Sequence, residues 1–262
     1  MRTLTVLGLA GLIGALGPSA AGLATAEPAP PPAAGSACDP HTTSCGDVSA
    51  PALRRLAATP AAVRLGPAGA GVHVTAVLSD ASGVQEASVD VFDGSGGYVD
   101  TYPLTREAGV PGGSETWGGQ LALGVAARPG SWSLDLDLTD VRGNWTWHRA
   151  ARSFPVALDT QLDFDAAPER PLRGGTITGA GVLRQLVPGQ GYAPYAGATV
   201  VVSFRPAGAT RYDEVARTVT AADGSYSTSA PAGLGDGTWR AAFPGADAYA
   251  ASTSRSDSID VR

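Results

Sequence analysis

The sequence contains no lysine, and all 18 basic residues of the 262-residue chain are arginine. This absence excludes phosphate-binding loops with a catalytic lysine, Schiff-base chemistry and lysine general bases. The only histidines are His41, His73 and His148, and neither a G-x-S-x-G nor an H-E-x-x-H motif is present. The sequence therefore contains no motif that would bring a nucleophile, a general base and an orienting group together. We expect no catalytic activity, no catalytic residues and no cofactor.

Positive charge is also scarce. The 18 arginines face 24 acidic residues, so the formal net charge is −6, and no basic stripe is present. This charge pattern argues against nucleic acid as a partner.

Helix-breaking residues are abundant, with 35 glycines and 20 prolines. Such a composition favours short strands joined by turns over long helices.

Residues 1–26 have the pattern of a signal peptide. Arg2 precedes the apolar run 4–17, and Ala24-Thr25-Ala26 resembles a cleavage site that would leave Glu27 as the first residue. The apolar run is shorter than a permanent membrane anchor requires. We therefore expect a secreted, extracellular protein with no membrane span in its mature form.

The segment 27–62 is predicted to lack a core of its own. It begins with the proline-rich stretch 27–35, and residues 51–62 are compatible with one or two helical turns. Cys38 and Cys45 are the only cysteines, and an exported protein favours a disulfide between them. A metal site with His41 is the alternative, but it lacks a fourth ligand. We expect no metal there.

Apolar and polar residues alternate with period two from about residue 63 onward, which predicts strands. About seven such strands predict a sandwich of immunoglobulin type over 63–158. A second series of strands predicts another sandwich over 159–262. The fold class is therefore predicted as all-β, with two tandem antiparallel Ig-like β-sandwiches after a signal peptide and a proline-rich segment.

Several motifs carry a family resemblance. The stretch 115–144, together with the turn at 80–84, resembles immunoglobulin-like domains of exported bacterial proteins. The second unit is similar to bacterial Ig-like or carboxypeptidase-regulatory-like repeats in four stretches, 196–204, 220–228, 237–245 and 249–256. These motifs consist mainly of turn and packing residues, so the resemblance implies a fold and leaves the function open.

Two tryptophans near the end of the first predicted sandwich are the main candidates for a ligand platform. Trp145 and Trp147 are at odd-numbered positions and Phe154 is at an even-numbered one, so a regular strand would place them on opposite faces. All three face the core only if a bulge lies between His148 and Ser153. Facing outward, the indole rings would stack on sugar rings; facing inward, they would belong to the core. We expect the core, and the platform stays open as the alternative.

Acidic residues around the same stretch raise two further possibilities. Asp135 and Asp137 lie on one face of a predicted strand, where a solvated outer face is the expected explanation and a catalytic pair the alternative. Asp80 and Asp140 are expected to cap turns. A weak calcium site formed by the latter two, if their turns meet at one end of the sandwich, remains the alternative.

These observations predict a secreted, non-catalytic binding or structural protein that acts at the cell envelope or in the extracellular space. Envelope polysaccharide or another extracellular protein is the expected partner. The alternative is a calcium- or carbohydrate-binding accessory module of a secreted enzyme system.

Overall fold

A computed structural model describes residues 47–262. The predicted signal peptide, the proline-rich stretch and the Cys38–Cys45 disulfide lie outside the described residues. The described chain consists of β-strands joined by turns and loops, which confirms the all-β expectation. Its one short 3-10 helix is Ala232–Leu234, and no helix within 47–262 is long and apolar enough to cross a membrane.

Export and oxidation can be tested together by mass. The protein recovered from culture medium is expected to begin at or near Glu27 and to be lighter than the dithiol form by two hydrogens, because the signal-like start precedes a single pair of cysteines. Intact mass before and after reduction measures both. A retained N-terminus, or two thiols that alkylate without reduction, would contradict the expectation.

The first nine strands form two sheets that enclose one hydrophobic cluster. The four-stranded sheet has the order β1-β3-β7-β6, and the five-stranded sheet has the order β2-β9-β8-β4-β5. All neighbours are antiparallel except β2 and β9, which are parallel. The strands are β1 (Ala52–Thr59), β2 (Val63–Leu65), β3 (Ala70–Ser79), β4 (Val84–Phe92), β5 (Tyr98–Pro103), β6 (Thr105–Gly109), β7 (Ser114–Leu123), β8 (Gly130–Asp140) and β9 (Trp145–Leu158).

Strand β1 corrects the prediction for 51–62. The sequence there is rich in helix-forming leucine, arginine and alanine, but the segment pairs with β3 along its length. This pairing buries Leu56 and Ala58 in the first hydrophobic cluster. The prediction of helical turns is wrong because tertiary burial outweighs a weak local propensity.

The remaining ten strands form two further sheets around a second hydrophobic cluster. In one sheet, strand β12 pairs with β10, β11, β13 and β16. The other sheet has the order β15-β14-β17-β18, and β19 also pairs with β17. The strands are β10 (Thr160–Leu162), β11 (Asp165–Ala167), β12 (Thr176–Val187), β13 (Gly191–Pro194), β14 (Thr199–Pro206), β15 (Asp213–Val219), β16 (Ser225–Pro231), β17 (Gly237–Phe243), β18 (Ser252–Thr253) and β19 (Asp257–Ile259).

The chain passes between the two clusters at Asp159, which has contacts on both sides. Its backbone N–H donates to the carbonyl of Leu65 (3.0 Å), and its carbonyl accepts from the N–H of Leu186 (2.9 Å). Its carboxylate pairs with Arg64 (3.0 Å) and accepts from the hydroxyl of Tyr192 (2.5 Å). These contacts connect the start of β10 to strands of both clusters.

Candidate binding site on an outer sheet face

The structure places Trp145 and Trp147 on the outer face of the five-stranded sheet. Across the ladder between β8 and β9, Trp147 lies opposite Asp137 and Trp145 opposite Thr139, whereas the core residue Leu136 lies opposite His148. Both indoles are half-buried and neither belongs to a hydrophobic cluster. The expectation that they are core residues is wrong.

The reason is the size of the bulge in β9. Leu134 and Leu136 are two residues apart in β8, but their partners Arg152 and His148 are four residues apart in β9. The irregularity lies in the expected place, yet it inserts two extra residues. A two-residue insertion preserves the alternation of faces, so Phe154 faces the core and the tryptophans face outward.

Three acidic residues lie on this side of the sheet with the tryptophans. Asp90 and Asp137 are half-buried, whereas Asp135 is buried, so the expectation of a solvated Asp135 is wrong. Asp90 of β4 lies opposite Asp135 of β8, and Asp137 is two residues further along β8. The N–H of Ala150, which has a positive φ of 44° within the bulge, donates to Asp135 (2.7 Å), while the hydroxyl of Thr101 donates to Asp90. The bulge therefore anchors one of the acids beside the tryptophans.

The surroundings of Asp137 favour the protonated form of its carboxyl group. Partial burial raises the pKa of its carboxyl to about 6, and the negative charges of Asp90 and Asp135 add to the effect. A hydrogen bond with Asp90 acts in the same direction. Proximity of like charges and desolvation both favour the protonated form. A carboxyl that retains its proton in weak acid is a hydrogen-bond donor as well as an acceptor.

Removing this charge is expected to stabilise the protein. Folding raises the pKa of Asp137 from 3.8 to about 6. Between these two pH values the folded state binds more protons than the unfolded state, so the free energy of unfolding falls as the pH rises through this range. Asp137→Asn is expected to raise the free energy of unfolding at pH 7 by about 1 kcal/mol, after allowance for solvent screening. Urea unfolding at a series of pH values measures this.

Asp100→Asn on the exposed edge strand β5 is the matched control for that experiment. It removes the same charge without relieving the cluster and is expected to leave both stability and its pH dependence nearly unchanged. An Asp137→Asn variant that is less stable than the parent at pH 7, or that keeps the fall in stability between pH 4 and 6, would contradict the assignment.

Aromatic and cationic groups complete the face. The guanidinium of Arg149 lies 4.7 Å from the ring centroid of Trp147, and the buried Nε1 of that indole has no hydrogen-bond partner among the described residues. Phe92 and Tyr98 form an edge-to-face pair at the other end of the face, with centroids 5.9 Å apart. Strand spacing puts Trp147 and Phe92 about 16 Å apart, with the carboxylates between them.

The turns at Asp80 and Asp140 meet at one end of the first sandwich, and Asp47 joins them. Carboxylate oxygens of these three residues lie within 4.8 Å of one another, and Asp80 and Asp140 are buried. The oxygens are supplied with donors by the turns themselves. Asp80 accepts from the N–H and hydroxyl of Ser82 and from the N–H of Gly83, at 2.8–2.9 Å. The cluster thus caps turns in the way that the sequence predicts.

Of the other sequence candidates, His73 lies on the four-stranded sheet, whereas Asp135 and Asp137 lie on the five-stranded sheet. His73 lies 3.6 Å from Glu107 and 3.2 Å from Gln120 on an open sheet face. Sequence reasoning missed Asp90, Arg149 and the Phe92–Tyr98 pair. The alternation in β4 already places Asp90 on an outer face, but only the cross-strand register brings it beside Asp135.

No protein-family model matches this sequence, and no curated protein matches it either. Among solved structures, the chain is similar to a DUF4785 family protein from Legionella pneumophila, with 11% identity and a TM-score of 0.39 over 71% of this chain and 51% of that one. It is also similar to the Yersinia pseudotuberculosis adhesin InvE, with 14% identity and a TM-score of 0.29 over 78% and 58%.

A third similar structure is a tetra-tandem repeat from the extending region of a large adhesion protein, with 17% identity and a TM-score of 0.30 over 82% of this chain and 51% of that one. The chain thus spans about half the length of each of these three proteins. At such identities and TM-scores, the functions of those proteins do not transfer to this chain.

Proposed function

We propose that this protein is a secreted, non-catalytic module that binds polysaccharide on the outer face of the five-stranded sheet. The observation that carries the proposal is the outward placement of Trp145 and Trp147 beside a row of carboxylates. Cell-envelope or extracellular polysaccharide is the corresponding ligand class. The module would act as a structural or accessory unit that holds its ligand in place.

The chemistry of the face suits a sugar polymer. An indole ring offers a flat apolar surface to the C–H face of a sugar ring, while its edge and the nearby polar groups remain available for hydroxyls. Asp90 accepts hydrogen bonds from hydroxyls, and Asp137 both donates and accepts when it is protonated. Arg149, stacked on Trp147, adds guanidinium donors at the same place.

The shape of the face also favours a chain over a small molecule. The aromatic residues at its two ends are separated by about 16 Å of open sheet, a span that several linked sugar rings would cover. An enzyme would enclose its reacting bond and exclude water, whereas Asp137 and Asp90 lie on an open surface. This arrangement supports binding without turnover.

Trp147→Ala is expected to lower the affinity for the bound polysaccharide at least tenfold, because the stacking surface is lost. Trp147→Phe retains a ring and is expected to keep most of the affinity. The protein would be tested by co-sedimentation with purified peptidoglycan and with insoluble neutral polysaccharides, followed by titration with soluble fragments of the one that binds.

Phe164→Ala is the matched control, since Phe164 is a partly buried aromatic residue that packs against the second hydrophobic cluster. It is expected to bind the neutral polysaccharide normally. Failure of every polysaccharide to bind, or equal loss in both alanine variants, would overturn the proposal. Release of reducing sugar that disappears in Asp137→Asn would instead identify a glycoside hydrolase.

A further inference from the structure

Two arginines lie diagonally across from each other on the second sheet of the C-terminal half. Arg205 of β14 is opposite Thr238 of β17, and Arg240 of β17 is opposite Ser203 of β14. Their chain neighbours Phe204 and Trp239 are buried in the second hydrophobic cluster, so the arginines point to the outer face. Diagonal neighbours of this kind are within reach of long side chains.

Tyr212 holds both guanidinium groups in place. Its ring centroid lies 3.9 Å from Cζ of Arg240 and 4.9 Å from Cζ of Arg205. Its hydroxyl is within hydrogen-bond distance of Thr238 (3.1 Å) and Ser256 (2.9 Å), which fixes the ring over the sheet. Tyr212, in the segment between β14 and β15, thus holds two positive charges against one aromatic ring.

These two charges lack an acidic counterpart. Within residues 47–262, no carboxylate oxygen lies within 4.0 Å of the guanidinium of Arg205 or Arg240. The buried Nε of Arg240 has no acceptor among those residues either. Arg217 on the same sheet is different, because it makes two hydrogen bonds to Glu214 at 2.6 and 2.8 Å.

A groove of about 410 Å³ begins at Arg205. Its lining combines the hydroxyl-bearing residues Thr238 and Ser258 with small exposed apolar residues, Pro206, Ala207 and Ala209, and its large apolar residue Ile259 is buried. Its volume is in the range of ligand-binding clefts, but it offers no exposed apolar anchor of the kind that protein partners and lipid tails require. The groove suits a polar, hydrated ligand.

From this combination we infer that Arg205, Arg240 and Tyr212 form a binding site for the oxyanion groups of an acidic polysaccharide. A guanidinium presents a planar fork of donors that matches a carboxylate or sulfate, and a charge-assisted pair is stronger than a neutral hydrogen bond. The adjoining groove accepts the sugar that carries the anionic group. This site is separate from the tryptophan face and does not depend on it.

The test uses the full chain and three probes, polygalacturonate, dextran sulfate and neutral dextran, in affinity electrophoresis and titration calorimetry at low and moderate salt. We expect binding to at least one polyanion and none to neutral dextran. Arg205→Ala and Arg240→Ala are each expected to weaken that binding at least tenfold. A preference for polygalacturonate or for dextran sulfate distinguishes a carboxylate site from a sulfate site, and either supports the proposal.

Arg217→Ala is the matched control, because its charge is already paired with Glu214. It is expected to bind like the parent, as is Trp147→Ala, which separates this site from the tryptophan face. Should an alanine variant fold poorly, Arg205→Lys keeps the charge without the planar fork and is expected to bind more weakly. Absence of polyanion binding at low salt, or equal weakening by Arg217→Ala, would overturn the inference.

Discussion

Asp140→Ala is expected to lower the free energy of unfolding by about 3 kcal/mol, because Asp140 is buried and several partly buried donors lose their acceptor at once. One carboxylate oxygen of Asp140 accepts from the N–H groups of Arg142 and Asn144, both at 2.8 Å. The other accepts from the side-chain amide of Asn144 (2.7 Å) and lies 3.2 Å from the hydroxyl oxygen of Ser82. Chemical denaturation with fluorescence detection measures the change.

Asp93→Ala provides a matched control for burial. Asp93 makes the same kind of turn, with its carboxylate accepting from Ser95 N–H (2.8 Å), Ser95 hydroxyl (2.6 Å) and Gly97 N–H (3.0 Å), but the hairpin tip is open to water. Water replaces the lost acceptor there, so a loss below about 1 kcal/mol is expected. Equal losses in the two variants would mean that burial is not the reason.

The same unfolding experiments in chelator and in millimolar calcium decide between turn capping and metal binding at Asp47, Asp80 and Asp140. A calcium site filled at a hundred times its dissociation constant would stabilise the protein by about 2.7 kcal/mol. Since the turns supply donors to these carboxylates, we expect no shift of that size. A calcium-dependent rise that Asp140→Ala abolishes would contradict this expectation.

Leu186→Ala is expected to lower the free energy of unfolding by about 3 kcal/mol through loss of apolar contacts and the cavity left behind. Leu186 lies on β12, among strands of the second cluster, yet its side chain is 2% exposed and belongs to the first cluster. Tyr192 and Tyr249 also pack against that first cluster. The C-terminal half therefore supplies part of the core of the N-terminal half.

Leu183→Ala is the matched variant for this prediction. Leu183 is three residues away on the same strand, fully buried, and belongs to the second cluster. Native-state hydrogen exchange is expected to report the loss in β3 and β8 for Leu186→Ala and in β14 and β17 for Leu183→Ala. An identical exchange pattern for the two variants would mean that the clusters unfold as one.

The predicted boundary between 157 and 160 can be examined in the same way. Fragments 48–158 and 159–262 are each expected to unfold cooperatively, and we expect fragment 48–158 to be less stable than the same region in the whole chain, because it lacks Leu186. A disordered fragment beside a folded whole chain would contradict the division into two units.

The sequence by itself determined the class of fold and the strands with regular alternation. In β8, apolar residues at every second position predict one buried face, and the structure buries Trp132, Leu134, Leu136 and Leu138 accordingly. The same alternation predicts Asp137 on the outer face. A period of two depends only on local backbone geometry, so it can be recognised without knowledge of the neighbouring strands.

Tertiary structure decided what the alternation leaves open. Trp145 and Trp147 face outward because the bulge opposite β8 contains two extra residues, and the size of a bulge depends on the pairing of two strands. Residues 52–59 form a strand because β3 offers unpaired backbone and a buried face, against their local helical preference. Asp90 meets Asp135, and Arg205 meets Arg240, only through cross-strand register, which is a long-range property that no local pattern encodes.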